Sequence, residues 1–159
     1  MTKTIHVETM LPTSADRVWS AMKQPATMLY VLRGIAGFPA LNGRPDPVEE
    51  GEKGSGWLMA FHVIPSSRHT IEVLRVDEEN KTIQTHEYGG VLKRWDHTLH
   101  VESVSENQSR YSDTVEIDAR ALTGFVARLA QSIYRYRQRR WHKLVNKHLL
   151  PEGRSYRLK

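Results

Sequence analysis

No cysteine occurs among the 159 residues, which excludes a disulfide framework, a thiolate metal site and a cysteine nucleophile. Long apolar runs are also missing: nothing approaches the roughly 20 residues that a membrane-spanning helix needs. The opening Met1-Thr-Lys-Thr-Ile-His-Val passes straight into strand-like alternation and lacks the apolar centre of a secretory signal, so a cytoplasmic chain is expected. The glycines at 51, 54 and 56, in Gly-Glu-Lys-Gly-Ser-Gly, lack the lysine placement and strand-to-helix setting of a phosphate loop. No His-Glu-x-x-His spacing occurs, and His97 and His100 point to opposite faces of one strand, so neither a metal nor any other cofactor is expected. Ser66, Ser67 and Ser112 have no nucleophile-elbow context.

What is present is the composition of an ordinary globular protein, 39% hydrophobic and 26% charged, at a length that suits one domain over 1–159. Residues 3–11 alternate as a first strand. Ser14 and Asp16 supply acceptors for the start of a short helix over about 14–23, and Pro25 suits the first turn of a second over about 25–32. A short strand at 33–38 is followed by a proline- and glycine-rich loop over 39–54, a candidate lid. Between 55 and 119, period-two segments are separated by turn signals at Pro65-Ser66-Ser67, Asp77–Asn80, Gly89-Gly90 and Glu106–Gln108, which describes a meander of about five strands. Helical spacing then runs from about 121 to 149, and Pro151-Glu152-Gly153 ends it.

Hairpin parity assigns the faces of this sheet, because paired residues have a constant sum and share a face. A Gly89-Gly90 turn sets Tyr88 against Val91 and Gln84 against Trp95. The other turns set Val101 against Val115, Leu99 against Ile117, Phe61 against Ile71, and Ile71 beside His86. One face then collects Trp57, Met59, Phe61, Val63, Ile71, Val73, Tyr88, Trp95, Leu99, Val101, Tyr111, Val115 and Ile117. The other is charged, with Arg68, Glu72, Glu87, Arg94, Asp96, Glu102 and Glu116. The long helix offers a matching stripe of Leu122, Phe125, Val126, Leu129, Ile133, Tyr136 and Leu144.

Three stretches, Pro12-Thr-Ser-Ala-Asp-Arg-Val-Trp19, His86-Glu-Tyr-Gly-Gly-Val-Leu-Lys-Arg-Trp-Asp-His97 and Tyr111-Ser-Asp-Thr-Val-Glu-Ile-Asp118, give the chain a pattern that resembles the START-like, or SRPBCC, superfamily, also called polyketide cyclase-like or Bet v 1-like. The resemblance implies an α+β helix-grip fold, a curved antiparallel sheet of about seven strands around a long C-terminal helix, with two short helices after the first strand. It also implies an interior cavity for lipids, polyketides or other apolar ligands. It implies no single reaction, because the fold serves carriers and cyclases alike.

The expected ligand wall comprises Met59, Phe61, Ile71, Gln84, His86, Tyr88, Trp95, His97, Leu99, Asp113 and Val115 from the sheet, with Leu129, Ile133 and Tyr136 from the helix. The polar members of the inward face, which also receives His69 and Lys93, need partners, because an unpaired buried polar group costs roughly 1–3 kcal/mol. His86, His97 and Asp113 are the candidate catalytic set, able to orient a hydroxyl or carbonyl or to relay a proton in a cyclase or dehydratase. The net charge of +5 gathers partly in Tyr134-Arg-Tyr-Arg-Gln-Arg-Arg-Trp-His-Lys143, where Arg135, Arg139 and Lys143 would face solvent or meet nucleic acid or another anionic surface. The expected partner is a small apolar ligand, and the sequence does not give an oligomeric state.

Overall fold

The computed structural model describes residues 1–61 and 63–147. The elements are β1 (Lys3–Leu11), α1 (Ala15–Met22), α2 (Pro25–Leu32), β2 (Ala36–Gly37), β3 (Lys53–Ala60), β4 (Ile64–Asp77), β5 (Thr82–Gly89), β6 (Leu92–Ser105), β7 (Gln108–Asp118) and α3 (Thr123–Asn146). The end of the last helix expected at 149 and its Pro151 stop lie outside the described residues. One antiparallel sheet has the order β1-β7-β6-β5-β4-β3-β2, so the first strand closes against the last. This is the helix-grip arrangement: a curved sheet with α3 lying along its concave face.

Local chemistry explains the helix starts. Ser14 Oγ accepts the Arg17 backbone N–H at 3.4 Å, and Pro25 occupies the first turn of α2, where its missing N–H leaves nothing unsatisfied. At the start of α3, Thr123 Oγ1 accepts the Ala119 N–H and its hydroxyl donates to the Arg120 carbonyl, which fixes the turn between β7 and the helix.

Two apolar clusters hold the layers together. In one, Leu11, Val18, Trp19, Val101, Tyr111, Trp141 and Leu144 join α1 and the end of α3 to the sheet. In the other, Ala127 and Ala130 let the first half of α3 settle closely on Ile5, Val7, Val115 and Ile117 of β1 and β7. The first two turns of the helix therefore bury small side chains, and large ones, Tyr134, Trp141 and Leu144, are buried only further along. Of the stripe expected from apolar spacing, Leu144 is buried, but Leu122, Phe125 and Leu129 are exposed, with Phe125 at 68%. Bulk is disfavoured where helix and sheet backbones approach closely, and that excludes leucine and phenylalanine from the contact line.

Four hairpins set the registers, and three differ from expectation by an odd number of residues. Ile71 pairs with Gly54, not Phe61, because the first turn falls just after β3, and Pro65 and Ser67 lie inside β4 beside a bulge. The slip reverses β3: Gly54, Gly56 and Leu58 face inward, while Trp57, Phe61 and Val63 are exposed. Ile71 also pairs with Glu87, not His86, because a second bulge lies between Val73 and Arg75. Between β5 and β6 the turn is Gly90-Val91 and a third bulge lies between Glu87 and Gly89, so Gln84 pairs with Thr98 instead of Trp95. Gly89 stands where a Cβ would meet the Arg68 carbonyl oxygen at 2.1 Å, so β4 presses on the β5 hairpin at a position only glycine allows. Both slips put Ile83, Thr85 and Glu87 inside and turn Gln84, His86 and Tyr88 outward. In the fourth hairpin Val101 pairs with Tyr111 and Leu99 with Asp113, an even displacement that leaves the expected faces of β6 and β7 intact.

Candidate functional site

A cavity of about 260 Å³ lies between the concave face of β3–β6, the helices α2 and α3, and the 39–54 segment. It is larger than the roughly 150 Å³ that admits benzene in an engineered core, so a two-ring molecule is of suitable size. Leu58, Ile71, Val73, Ile83 and Leu99 form the sheet side, and Met28, Val31, Leu32 and Ile133 the helical side. Two contacts fasten the helices: the Tyr136 hydroxyl donates to the Arg33 carbonyl at 2.6 Å, and the Arg140 guanidinium donates to the Tyr30 carbonyl while stacking over its ring. The 39–54 segment forms a wall. Its Val48 N–H donates to Lys23 O, Gly51 N–H to Val73 O, and Arg44 pairs with Glu52.

A polar network lines one side of this apolar space. Asp113, fully buried, accepts from His97 Nε2 at 2.9 Å and from the Tyr111 hydroxyl at 2.8 Å, both on Oδ1. The carboxylate places the proton of a neutral His97 ring on Nε2, leaving Nδ1 to face the Tyr134 hydroxyl at 3.4 Å. Tyr134 in turn accepts the Trp95 indole N–H at 3.3 Å. Across the cavity wall, Glu87 accepts from His69 Nε2 and from the Thr85 hydroxyl, each at 2.9 Å, and its other side lies 3.9 Å from His97 Nδ1. Arg137 completes the group, its guanidinium 4.7 Å from the Tyr134 ring centre.

The electrostatics follow from burial and pairing. Burial alone would raise the Asp113 carboxyl, but Arg137, the His97 bond and the Tyr111 hydroxyl outweigh it and hold the group below the ordinary carboxylate range. Glu87 is likewise pushed up by burial and brought below its ordinary value by His69, His97 and Thr85. Burial raises the Tyr134 phenol well above the usual range, so it remains a hydroxyl at neutral pH. Burial works against the Arg137 charge, yet Asp113, Tyr134 and Glu87 more than restore it. Among the described residues no three metal-ligating side chains converge as a metal site.

Of the fourteen expected wall residues, Ile71, Trp95, His97, Leu99 and Ile133 line the cavity. Asp113 and Val115 are buried beneath the wall and do not line it. Gln84, His86 and Tyr88 are on the convex face, where His86 pairs with Asp96 and Lys53 lies over the Tyr88 ring. Phe61 and Leu129 are exposed; Met59, past the β3 bulge, is away from the cavity, and Tyr136 is committed to Arg33. The set His86, His97 and Asp113 is therefore not assembled, because the β5 slip separates His86 from the other two. Lys93 is exposed, as are Arg135, Arg139 and Lys143. Glu87, assigned by parity to the wet face, is inside. Ile83, the one aliphatic residue of β5, was the available signal for that face. Arg137 sits inside a basic run whose charge reads as solvated surface, although its spacing from Tyr134 and Trp141 puts all three on one side of the helix.

A family model described as a domain of unknown function, DUF8410, matches residues 9–145. The chain belongs to the DUF8410 family. No curated protein matches it. Among solved structures, a START superfamily protein from Mycobacterium smegmatis is 11% identical with a TM-score of 0.68, covering 91% of this chain and 98% of that one. Norcoclaurine synthase from Thalictrum flavum, in complex with dopamine and hydroxybenzaldehyde, is 17% identical with a TM-score of 0.66, covering 93% and 88%. A putative protein in the dynemicin biosynthetic locus is 13% identical with a TM-score of 0.65 over 91% of this chain and 48% of that one. At these identities the likeness is one of fold, and it gives this DUF8410 member the START-like helix-grip architecture.

Proposed function

We propose that this DUF8410 domain binds a small, largely apolar molecule, of aromatic or lipid-like character, in the cavity under α2 and α3. The observation that carries the reading is the cavity itself: close packing normally leaves few voids larger than a water molecule in an interior, and here about 260 Å³ stays open between aliphatic walls. Aromatic side chains at its edge, Trp95 and Tyr134 with ring centres 6.2 Å apart, suit a planar guest. The Thalictrum protein of the same fold holds aromatic molecules, which agrees with this choice of ligand class. Native mass spectrometry of freshly purified protein tests the proposal: a mass increment lost on denaturation supports it, and bare protein both as isolated and after incubation with 2-naphthol counts against it.

A second reading, an acid–base enzyme acting on the same guest, has one observation in its favour. His97 is oriented by buried Asp113 and lies beside Tyr134 and Glu87, which is the support a proton-transferring imidazole needs. His86 has no part in it. Under this reading His97→Gln retains guest affinity and abolishes turnover of a polyketide-like substrate; equal loss of both in a folded variant contradicts it.

A further inference from the structure

Among the described charged side chains that line the cavity, Arg137 is the one that makes no hydrogen bond. It is 7% exposed, it lines the cavity, and it makes no hydrogen bond to another described residue; its Nε is buried without a partner. A guanidinium carries five N–H donors, and a buried donor left unpaired is costly. Its charge, by contrast, is already compensated. Two carboxylates, Asp113 and Glu87, act on it, while the remaining cavity ion pair, Arg44 with Glu52, is self-contained. Arg137 therefore lacks an acceptor for its hydrogen bonds, whereas its charge already faces two carboxylates. A carboxylate guest would satisfy the donors but add a third anion to the same enclosed space. A neutral oxygen supplies the acceptor without that penalty.

Resting on the cavity-binding reading, we infer that the guest is a planar apolar molecule bearing an uncharged carbonyl oxygen, and that Arg137 recognises it by donating a hydrogen bond to that oxygen. Tyr134 helps to position the guanidinium by lying against it. The rest of the guest meets apolar surface from Leu58, Ile71, Leu99 and Ile133.

The test uses three probes of one shape at pH 8: 2-acetonaphthone, 2-ethylnaphthalene and 2-naphthoate, each displacing N-phenyl-1-naphthylamine from the whole protein. The ketone should bind about tenfold or more tightly than the hydrocarbon, as expected of a hydrogen bond from a charged donor, and more tightly than the carboxylate. In Arg137→Met, shown to be folded by circular dichroism, ketone and hydrocarbon should bind equally. Equal binding of these two by the unaltered protein overturns the inference while leaving the cavity reading in place. Tightest binding by naphthoate also overturns it, as does a ketone preference that survives in Arg137→Met. If none of the three displaces the dye, the cavity reading itself fails. Should Arg137→Met not fold, the probe series on the unaltered protein decides alone.

Discussion

Asp113 has no solvent to share its charge: it is held by His97, Tyr111 and the nearby Arg137. Asp113→Ala removes one of the two carboxylates that act on the buried Arg137 guanidinium, together with the acceptor of His97 and Tyr111, and breaking such a buried network costs about 3–5 kcal/mol. Urea unfolding should register a loss of that size, and a loss under about 1 kcal/mol would mean that Arg137 is neutralised elsewhere. The pH dependence has a definite sign. Asp113 and Glu87 both titrate below their ordinary values in the folded chain, so on acidification the unfolded chain takes up protons first. Their stabilising contribution is complete above the unfolded carboxylate values of about 4 and is lost as pH falls through the depressed ones. The urea midpoint should therefore fall between pH 5 and pH 2.5, and fall less steeply in Asp113→Asn. Identical slopes would contradict the assignment. None of this was legible one residue at a time: Asp113 was visible as an inward residue of β7, but Arg137 lay hidden in a run whose charge reads as solvated surface.

At the level of elements, the boundaries were readable because their signals are local. Ser14 caps a helix, Pro25 opens one, and neither needs to know the rest of the fold. Register was not readable, because it depends on bulges and on Gly89 pressed against the Arg68 carbonyl, which are contacts between strands. β5 suffered most. Its Thr82-Ile83-Gln84-Thr85-His86-Glu87 has a single aliphatic residue, too little contrast to correct a one-residue slip. The convex placement of His86 predicts that His86→Ala changes stability by about 1 kcal/mol or less, since its Asp96 pair is partly exposed. It should leave naphthyl-dye affinity unchanged, whereas a large loss of affinity would restore His86 to the cavity. For α3, Ala130→Leu should cost about 1–3 kcal/mol by forcing bulk between helix and sheet. Leu129→Ala, on the exposed side, should stay within about 0.5 kcal/mol. The reverse ranking in thermal or urea unfolding would mean that the helix is rotated.

For the whole molecule, the order of strand, two short helices, meander and long helix carries the resemblance to the START-like pattern, and through it the expectation of the helix-grip architecture that the sheet order bears out. The location of the hollow was less accessible. The expected wall includes Val115, yet Val115 and its neighbour Ile117 are packed solid against Ala127 and Ala130. The open space lies towards β3–β5 and α2, where Gly54 withholds a side chain from the inner face and the 39–54 segment closes the side. The central claim is that this space is a binding cavity. Fluorescence titration with N-phenyl-1-naphthylamine tests it most directly, comparing the unaltered protein with Ile71→Trp, whose indole would occupy the same volume. Saturable one-to-one binding by the first, and its loss in a variant that keeps its circular dichroism spectrum, is the predicted result; no saturable binding by the unaltered protein, or equal binding by both, would contradict it.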